Sequence, residues 1–392
     1  MDKNQIRTIL ERGVDEVINK TDLESKLNSG KVLRIKLGID PTSPNIHLGR
    51  ATALLKLKDF QDAGHKIVFI LGDFTGTIGD ASDKDSERPM IQQEIVNENL
   101  KTYIDQASKI LDISKCEIHK NGDWLNKLTF TDVSTLADNF SVNEFISREL
   151  ISKRLDEGKR VSLREMLYPL MQGYDSVAIK SDVEIGGTDQ RFNMLAGRVL
   201  QKNNNQDEQN IIMLPLIEGL DGRKMSSSWG NTINLFDTPD DMFGKVMSLR
   251  DDLIIKYFTL CTRLDFDTIS KYENDLNNGI NPKEIKILLA KHIVTMLHSK
   301  DLADNSAQNW QNTFSNKEIP SKVEHTFKLK EGDKLIDIVL DSKLVSSKTE
   351  YRRLLEAGAI EHMETEYKIE EDTALGVIGT YRIGKKRFLR LN

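Results

Sequence analysis

The sequence predicts an α/β protein with a parallel sheet in its first part, then a helical region, then a small α+β unit. Residues 31–39 (KVLRIKLGI) have the composition of a strand with a turn near Gly38, and the following RATALLKLKDFQDAG has apolar residues at helical spacing. The run HKIVFILGDF is apolar throughout, which is typical of a strand buried on both faces. A strand, a helix and a second strand in this order favour a doubly wound parallel sheet.

The remaining elements follow in order along the chain. From Met90 to about Leu200 the pattern is largely helical, and the run IIMLPLIEGL then predicts another strand before the loop DGRKMSSSWGN. After Thr238 the pattern is helical again, until a polar and weakly periodic stretch predicts a linker. We expect a sheet-containing domain at 1–238 with a helical insertion at about 90–200, a helical domain at 239–320, a linker at 321–333 and a small domain at 334–392.

Composition narrows the class of protein. The 392 residues carry a formal net charge of −6, which does not by itself indicate a nucleic-acid binder, although the last segment, GVIGTYRIGKKRFLRLN, is basic without an acidic residue. Cys116 and Cys261 lie far apart and outside any Cys/His cluster, so we expect neither a disulfide nor a protein-held metal. The N-terminus does not resemble a signal peptide and no stretch reaches membrane-spanning length, so we expect a cytoplasmic protein with no membrane partner.

The segment DPTSPNIHLGR, from Asp40 to Arg50, is the first candidate site. It follows a strand and opens a helix, where backbone N–H groups and the helix dipole favour phosphate. Thr42 and His47 could donate hydrogen bonds to phosphate, and Gly49 leaves room for close approach of a ligand. Alone, such a segment is better explained as an ordinary strand-to-helix loop with a surface histidine. It is not GxGxxG, which disfavours a nicotinamide or flavin cofactor.

The segment DGRKMSSSWGN, from Asp221 to Asn231, is the second. Two glycines bracket a small polar loop that exposes Arg223 and Lys224, and such a loop can bring a cation to a polyphosphate. Alone, it is as well explained as a flexible surface loop.

Together, HLGR and KMSSS resemble the paired HIGH and KMSKS signatures of class I aminoacyl-tRNA synthetases. The resemblance implies a Rossmann-like catalytic domain that binds ATP with Mg²⁺ and forms an aminoacyl-adenylate. Two positions depart from the pattern: Arg50 replaces the final histidine, and Ser227 replaces the second lysine. An arginine cannot copy an imidazole stacked near the adenine.

The stretches YPLMQGYDSVAI and VEIGGTDQRFNMLAGR resemble the tyrosyl branch of that family. Tyr168, Gln172 and Asp175 are spaced to share one helix face, although spacing alone favours a half-buried amphipathic helix. The resemblance implies that the ammonium group of tyrosine is held by Tyr168, Gln172 and Asp80. It also implies that Asp175 accepts a hydrogen bond from the phenol of tyrosine and that Gln190 faces its carboxylate. Lys36, where many bacterial enzymes have tyrosine, would bond the phenol oxygen or pair with Asp175.

The resemblance also implies the groups that handle ATP. ATP contacts are expected from Asp40, His47, Gly49, Arg50, Gly187, Asp189 (on the ribose) and Lys224. Stabilisation of the charge that develops during catalysis is expected from Thr42, His47, Lys84, Arg88 and Lys224.

The C-terminal region resembles a small RNA-binding module found in bacterial tyrosyl enzymes, with a helix carrying Arg352 and Arg353, then Gly358 and a strand. A packing domain with incidental basic surface is the alternative. The expected contacts to tRNA(Tyr) are Arg352, Arg353, Lys385, Lys386 and Arg387. The other expected partners are L-tyrosine, ATP and a second copy of the chain, since the family forms homodimers. Tryptophan activation, a small nucleotidyltransferase and a non-catalytic RNA-binding protein remain alternatives.

Overall fold

A computed structural model describes residues 1–80, 89–314, 323, 325–330, 332–372, 374–384 and 387–392. The chain divides into two compact units, Met1–Ala303 and Asp304–Asn392, and each is described by itself. None of the helices within the described ranges has the length and apolar character needed to cross a bilayer.

A sheet forms the centre of the first unit. Within the described ranges its strands are β1 Glu16–Ile18, β2 Arg34–Ile39, β3 Lys66–Leu71, β4 Glu117–Lys120, β5 Val183–Gly187 and β6 Asn210–Leu214. They lie in the order β1-β6-β5-β2-β3-β4. All neighbours are parallel except β1, which is antiparallel to β6. The predicted parallel sheet is confirmed. Because the chain moves from β2 to β3 on one side and returns to β5 on the other, a crevice opens at the carboxyl ends of β2 and β5.

Helices cover this sheet. Those described in or leaving the first unit are α1 Lys3–Glu11, α2 Lys20–Asn28, α3 Leu48–Asp62, α4 Thr75–Ile78, α5 Gln93–Ser108, α6 Gly122–Leu125, α7 Phe130–Ala137, α8 Val142–Ile146, α9 Glu149–Asp156, α10 Leu163–Ile179, α11 Arg191–Asn203, α12 Pro239–Met247, α13 Ile254–Cys261, α14 Phe266–Asn277, α15 Pro282–Leu297 and α16 Lys300–Phe314. The predicted crossover helix is α3, with Leu54, Leu57 and Phe60 fully buried. A capping box of Ser162 and Glu165 starts α10.

Two strands lie inside the segment that the sequence predicts as largely helical. β4 is an edge strand with alternating exposure, and β5 is a buried central strand. The pattern missed β5 because its sequence, VEIGG, is short and contains the charged Glu184. That carboxylate is buried because Lys36 of the neighbouring β2 pairs with it.

The second unit has its own sheet and core. Its described elements are β7 His325–Phe327, α17 Leu335–Asp341, α18 Lys348–Glu356, β8 Ile360–His362, β9 Tyr367–Lys368, β10 Gly379–Ile383 and β11 Arg387–Leu391. The strand order is β7-β11-β10-β8-β9. The predicted helix, glycine and strand are present, with Gly358 at φ +58°. β7 falls in the predicted linker and pairs in parallel with β11, so the sheet begins earlier than the sequence indicated.

Candidate active site

A cleft opens at the carboxyl ends of β2 and β5 and is roofed by the loop at residues 221–231. Most of the predicted site residues line it together: Asp40, Thr42, His47, Gly49, Arg50, Asp80, Tyr168, Gln172, Asp175, Gly187, Asp189, Gln190 and Lys224. Lys84 and Arg88 lie outside the described residues. Lys36 lies beneath the lining, fully buried.

Three hydrogen-bond acceptors converge at one end of the cleft. The Tyr168 hydroxyl donates to Asp40 Oδ2 over 2.8 Å, which leaves its own oxygen able to accept. Gln172 Nε2 donates to Glu184 Oε1 over 3.1 Å, so the amide oxygen of Gln172 is the group left to accept. The third acceptor is the carboxylate of Asp80, 8% exposed. Such a set is suited to a primary ammonium group, which has three donors and no acceptor.

Asp175 lies deeper at the same end and is 4% exposed. Trp124 Nε1 donates to Oδ1 over 2.7 Å, and Asn121 Nδ2 donates to Oδ2 over 3.3 Å. Burial raises the pKa of Asp175 to about 7, while the charge of Lys36 and these two donors act in the opposite direction. A buried acceptor with fixed donors on both oxygens selects a ligand that brings a further donor, such as a hydroxyl.

A chain of hydrogen bonds connects Asp175 with Asp40, which follows the carboxyl end of β2. Asn121 Nδ2, which donates to Asp175, also donates to Thr75 Oγ1 over 2.8 Å. The Thr75 hydroxyl donates to Asp40 Oδ1 over 2.7 Å, and Asp40 Oδ2 accepts from Tyr168. Asn121 and Thr75 were not predicted from the sequence, because neither belongs to a recognisable motif.

Lys36 contacts other groups than those expected. Its ammonium lies 2.9 Å from Glu184 Oε1 and donates to Ser176 Oγ over 2.7 Å and to the Gln172 carbonyl over 2.8 Å. These three acceptors match its three donors. In this arrangement Lys36 holds Gln172 from below and makes no pairing with Asp175.

At the other end, His47 and Lys224 face the loops. Burial, with the charges of Arg50 and Lys224, lowers the pKa of His47 to about 3, so its ring is neutral near pH 7. Its Nδ1 is buried and has no hydrogen-bond partner among the described residues. Lys224 Nζ lies 3.0 Å from Asp189 Oδ2. A neutral donor and a cation therefore face one space.

The start of α3 differs from the expectation that its backbone N–H groups cradle phosphate. The Leu48 N–H donates to the Ile233 carbonyl over 2.8 Å, and the Gly49 N–H donates to Met225 Sδ over 3.3 Å. Both groups are therefore occupied, the Gly49 N–H by the second loop and the Leu48 N–H by the segment that follows it. Phosphate would therefore be bound here by side chains, assisted by the helix dipole.

Two glycines beside the cleft make room for protein groups. A Cβ on Gly72 would lie 2.0 Å from Asp40 Oδ1, and one on Gly49 would lie 3.0 Å from His47 Nδ1. The space that the sequence assigned to a ligand at Gly49 is therefore partly filled by the His47 ring.

Asn231 organises the loop at residues 221–231. Its side chain accepts from the Ser226 N–H over 2.8 Å and donates to Asp221 Oδ1 over 2.7 Å. Arg223 pairs with Asp221 and lies over the Trp229 ring, 4.6 Å from its centroid, so Arg223 does not line the cleft.

Comparison with known proteins shows which family this chain belongs to. The family model described as tRNA synthetases class I (W and Y) matches residues 28–315. The tyrosine–tRNA ligase of Carboxydothermus hydrogenoformans is 42% identical over 98% of this chain and 96% of its own length. The chain belongs to the class I tRNA synthetases of this family. The tyrosine–tRNA ligase of Thermotoga maritima is 41% identical, again over 98% of this chain and 96% of its own.

Solved synthetase structures share the fold. The tyrosyl-tRNA synthetase of Archaeoglobus fulgidus, complexed with L-tyrosine, has a TM-score of 0.63 and 23% identity, covering 77% of this chain and 98% of that one. A truncated mitochondrial enzyme of Aspergillus nidulans has a TM-score of 0.67 and 22% identity, covering 80% and 95%.

The basic residues expected to contact RNA lie in the second unit of this synthetase. Arg352 and Arg353 are exposed on α18, although Arg352 Nε also donates to Asp372 over 2.9 Å. Lys385 and Lys386 lie outside the described residues. Arg387 differs from the expectation: its guanidinium bonds Glu350 over 2.8 Å and the Leu344 carbonyl, so it ties β11 to the start of α18.

Proposed function

We propose that the chain activates L-tyrosine with ATP, forming tyrosyl-adenylate and pyrophosphate, and transfers tyrosine to the terminal ribose of tRNA(Tyr). The observation that carries this proposal is the pairing of the buried Asp175 carboxylate with three convergent acceptors in one cleft. A ligand that satisfies both needs a hydrogen-bond donor, such as a hydroxyl, at one end and an ammonium group at the other. Tyrosine has both groups, and phenylalanine and tryptophan lack the hydroxyl.

The amino-acid end recognises tyrosine by groups that are already in position. The ammonium group is accepted by Tyr168, Gln172 and Asp80, and the phenol donates to Asp175. Gln190, which donates to Asp80 over 2.6 Å, faces the carboxylate that attacks ATP. Lys36 acts through Gln172 as a positioning residue.

ATP occupies the loop end as its magnesium complex. Asp40, Gly49 and Gly187 shape this end, and Asp189 bonds the ribose. Thr42, His47 and Lys224, with Lys84 and Arg88, stabilise the charge that develops on the phosphates. None of these residues acts as a nucleophile, because the tyrosine carboxylate itself attacks the α-phosphate. Positioning and charge stabilisation supply the catalysis.

The catalytic domain comprises residues 1–238, and the regions that follow it contact tRNA. The helical domain at 239–320 and the small domain at 334–392 bind it, with Arg352, Arg353, Lys385 and Lys386 on its phosphates. Arg387 is assigned to packing, given its internal bonds. The cytoplasmic location expected from the sequence stays a prediction.

The chain also acts as a homodimer. Three large apolar side chains are mostly exposed in the single chain: Phe130 on α7 (89%), Val142 on α8 (76%) and Leu163 on α10 (84%). We assign these three side chains to the dimer interface, where a second copy would cover them. Sedimentation equilibrium should give a mass near twice 44.6 kDa.

Tyrosine-dependent exchange of labelled pyrophosphate into ATP tests the first step. We expect exchange with tyrosine and none above background with phenylalanine or tryptophan at the same concentration. Exchange driven equally by tryptophan would contradict the assignment of substrate. Charging of a tRNA(Tyr) transcript then tests the second step.

A further inference from the structure

The loop at residues 40–46 (DPTSPNI) carries Thr42 into the cleft, and its shape is set from outside. It contains two prolines, which cannot donate a backbone hydrogen bond. Its one internal backbone bond in the described structure runs from the Thr42 N–H to the Asp40 carbonyl. Such a loop would hold a catalytic hydroxyl poorly unless other elements fixed it.

One face of α5 supplies that support. Asn99, Tyr103 and Gln106 stand at i, i+4 and i+7, and they are 9%, 0% and 0% exposed. Their side chains donate to three carbonyls of the loop: Asn99 to Pro41 over 2.8 Å, Tyr103 to Ser43 over 2.8 Å and Gln106 to Pro44 over 2.9 Å. Gln106 Oε1 also accepts from the Ile46 N–H over 2.6 Å.

Arg50 connects this helix face to the catalytic hydroxyl. Its Nη1 donates to the Tyr103 hydroxyl over 2.9 Å and to the Asp40 carbonyl over 3.2 Å, and its Nη2 donates to Thr42 Oγ1 over 3.0 Å. A guanidinium offers five donors in a planar fork, whereas the family's usual imidazole at this position offers at most two. The arginine can therefore make contacts that a histidine cannot.

The bond from Arg50 also fixes the direction of the Thr42 proton. A hydroxyl has one proton, and an oxygen that accepts from a guanidinium must direct that proton elsewhere. Among the described residues no protein group accepts it, and Thr42 lines the cleft beside His47. The cation polarises the hydroxyl and strengthens it as a donor.

We propose that Arg50 is a positioning residue that acts through Thr42, with Tyr103 as its anchor on α5, and is not a direct contact of ATP. This inference rests on the proposed function and deepens it. It assigns the departure from the family's histidine to the shape of the loop.

The test is whether the effect of removing the Thr42 hydroxyl depends on Arg50. Thr42→Val should lower the rate constant of tyrosine-dependent pyrophosphate exchange about tenfold in the natural background, as expected for loss of a hydrogen bond to a charged group. In an Arg50→Met background the same change should cost less than about twofold, because the hydroxyl is then no longer directed. An equal tenfold loss in both backgrounds would show that Arg50 acts independently of Thr42, and would overturn the proposal.

Two further variants separate positioning from general damage. Tyr103→Phe keeps the ring and removes the hydroxyl, and it should lower kcat severalfold while the KM for tyrosine stays within about twofold. Asn97→Ala, at an exposed position of the same helix, should change neither value. Arg50→Lys should recover part of the activity lost in Arg50→Met. No recovery, together with a tyrosine KM that rises in step with the fall in kcat, would point to a collapsed cleft and contradict the proposal. If the unaltered protein showed no tyrosine-dependent exchange, the proposed function itself would fail.

Discussion

The amino-acid end of the cleft is built from one helix and two central strands, and the ATP end is built from two loops. At the amino-acid end Asp175, Lys36 and Glu184 are at most 4% exposed, and their polar atoms have fixed partners. At the ATP end the Lys224 side chain is 29% exposed and lies against Asp189, a residue with a proposed role on the ribose. The side chains that select the amino acid can therefore stay fixed. The loop that carries Lys224 must instead change its contacts when ATP binds, so that the lysine reaches the phosphates.

The largest effect is expected when one charge of the buried Lys36–Glu184 pair at the amino-acid end is removed. Lys36→Met leaves the Glu184 carboxylate buried without its cation, and should lower the free energy of unfolding by about 3–5 kcal/mol. The double variant Lys36→Met/Glu184→Gln removes both charges and should recover most of that loss. Urea unfolding monitored by tryptophan fluorescence gives both values. A single variant as stable as the natural protein would show that the pair is not the buried support described here.

A partly exposed ion pair serves as the matched control. Lys31 and Asp182 lie 2.7 Å apart, with the lysine side chain 53% exposed and the aspartate side chain 15% exposed. Lys31→Met should cost no more than about 1 kcal/mol, because water screens the pair.

The next largest effect is expected at the loop end. Lys224→Ala should slow adenylate formation by about 10²–10³-fold, since it removes a cation that acts on charge developing in the transition state. Tyrosine affinity, measured by equilibrium dialysis, should stay within about twofold. Arg223→Ala is the matched control, because Arg223 lies in the same loop but outside the cleft, and it should reduce the rate far less. Equal losses in the two variants would mean that loop shape, and not the Lys224 charge, matters.

The smallest effect expected is a pH dependence of the KM for tyrosine, which tests the amino-acid end alone. Burial raises the pKa of Asp175 to about 7, so the carboxylate is protonated below that pH and ionised above it. The ionised form is the better acceptor for a phenol. The KM for tyrosine should therefore rise as pH falls below 7, by at most about tenfold per unit, and should level off towards pH 8. Asp175→Asn should have a higher KM with no such dependence, and an unchanged slope in that variant would assign the effect to another group.

Much of the fold was predictable because local patterns and tertiary structure agree. The apolar run of β3, the helical spacing of α3 and the order strand, helix, strand led directly to the parallel sheet. β4 was missed because it is a short, partly exposed edge strand without an apolar run, and β5 because its burial depends on a residue distant in the sequence. A window around VEIGG does not contain Lys36, the residue that makes burial of Glu184 acceptable.

In the candidate site, too, some residues could be predicted from the sequence and others could not. Residues within motifs, such as His47 and Asp175, were located in the cleft as expected. Supporting residues were not, because Asn121 and Trp124 are ordinary residue types whose roles arise only when the chain folds. One signal was present in the sequence: the polar residues of α5 at i, i+4 and i+7 form a buried stripe on an otherwise amphipathic helix. Lys36 and Arg387 show the converse, since their charges serve internal contacts.

The hydrogen bonds from Asp175 through Asn121 and Thr75 to Asp40 limit how the pocket can be recoded for another amino acid. Exchanging the carboxylate for an apolar side chain, to admit a ligand without a hydroxyl, would leave the Trp124 indole N–H and one Asn121 N–H without their acceptor. A designer would need to replace those two donors in the same step. Altering Asn121 would then disturb Thr75 and, through it, Asp40, so a change of substrate here requires the redesign of several residues.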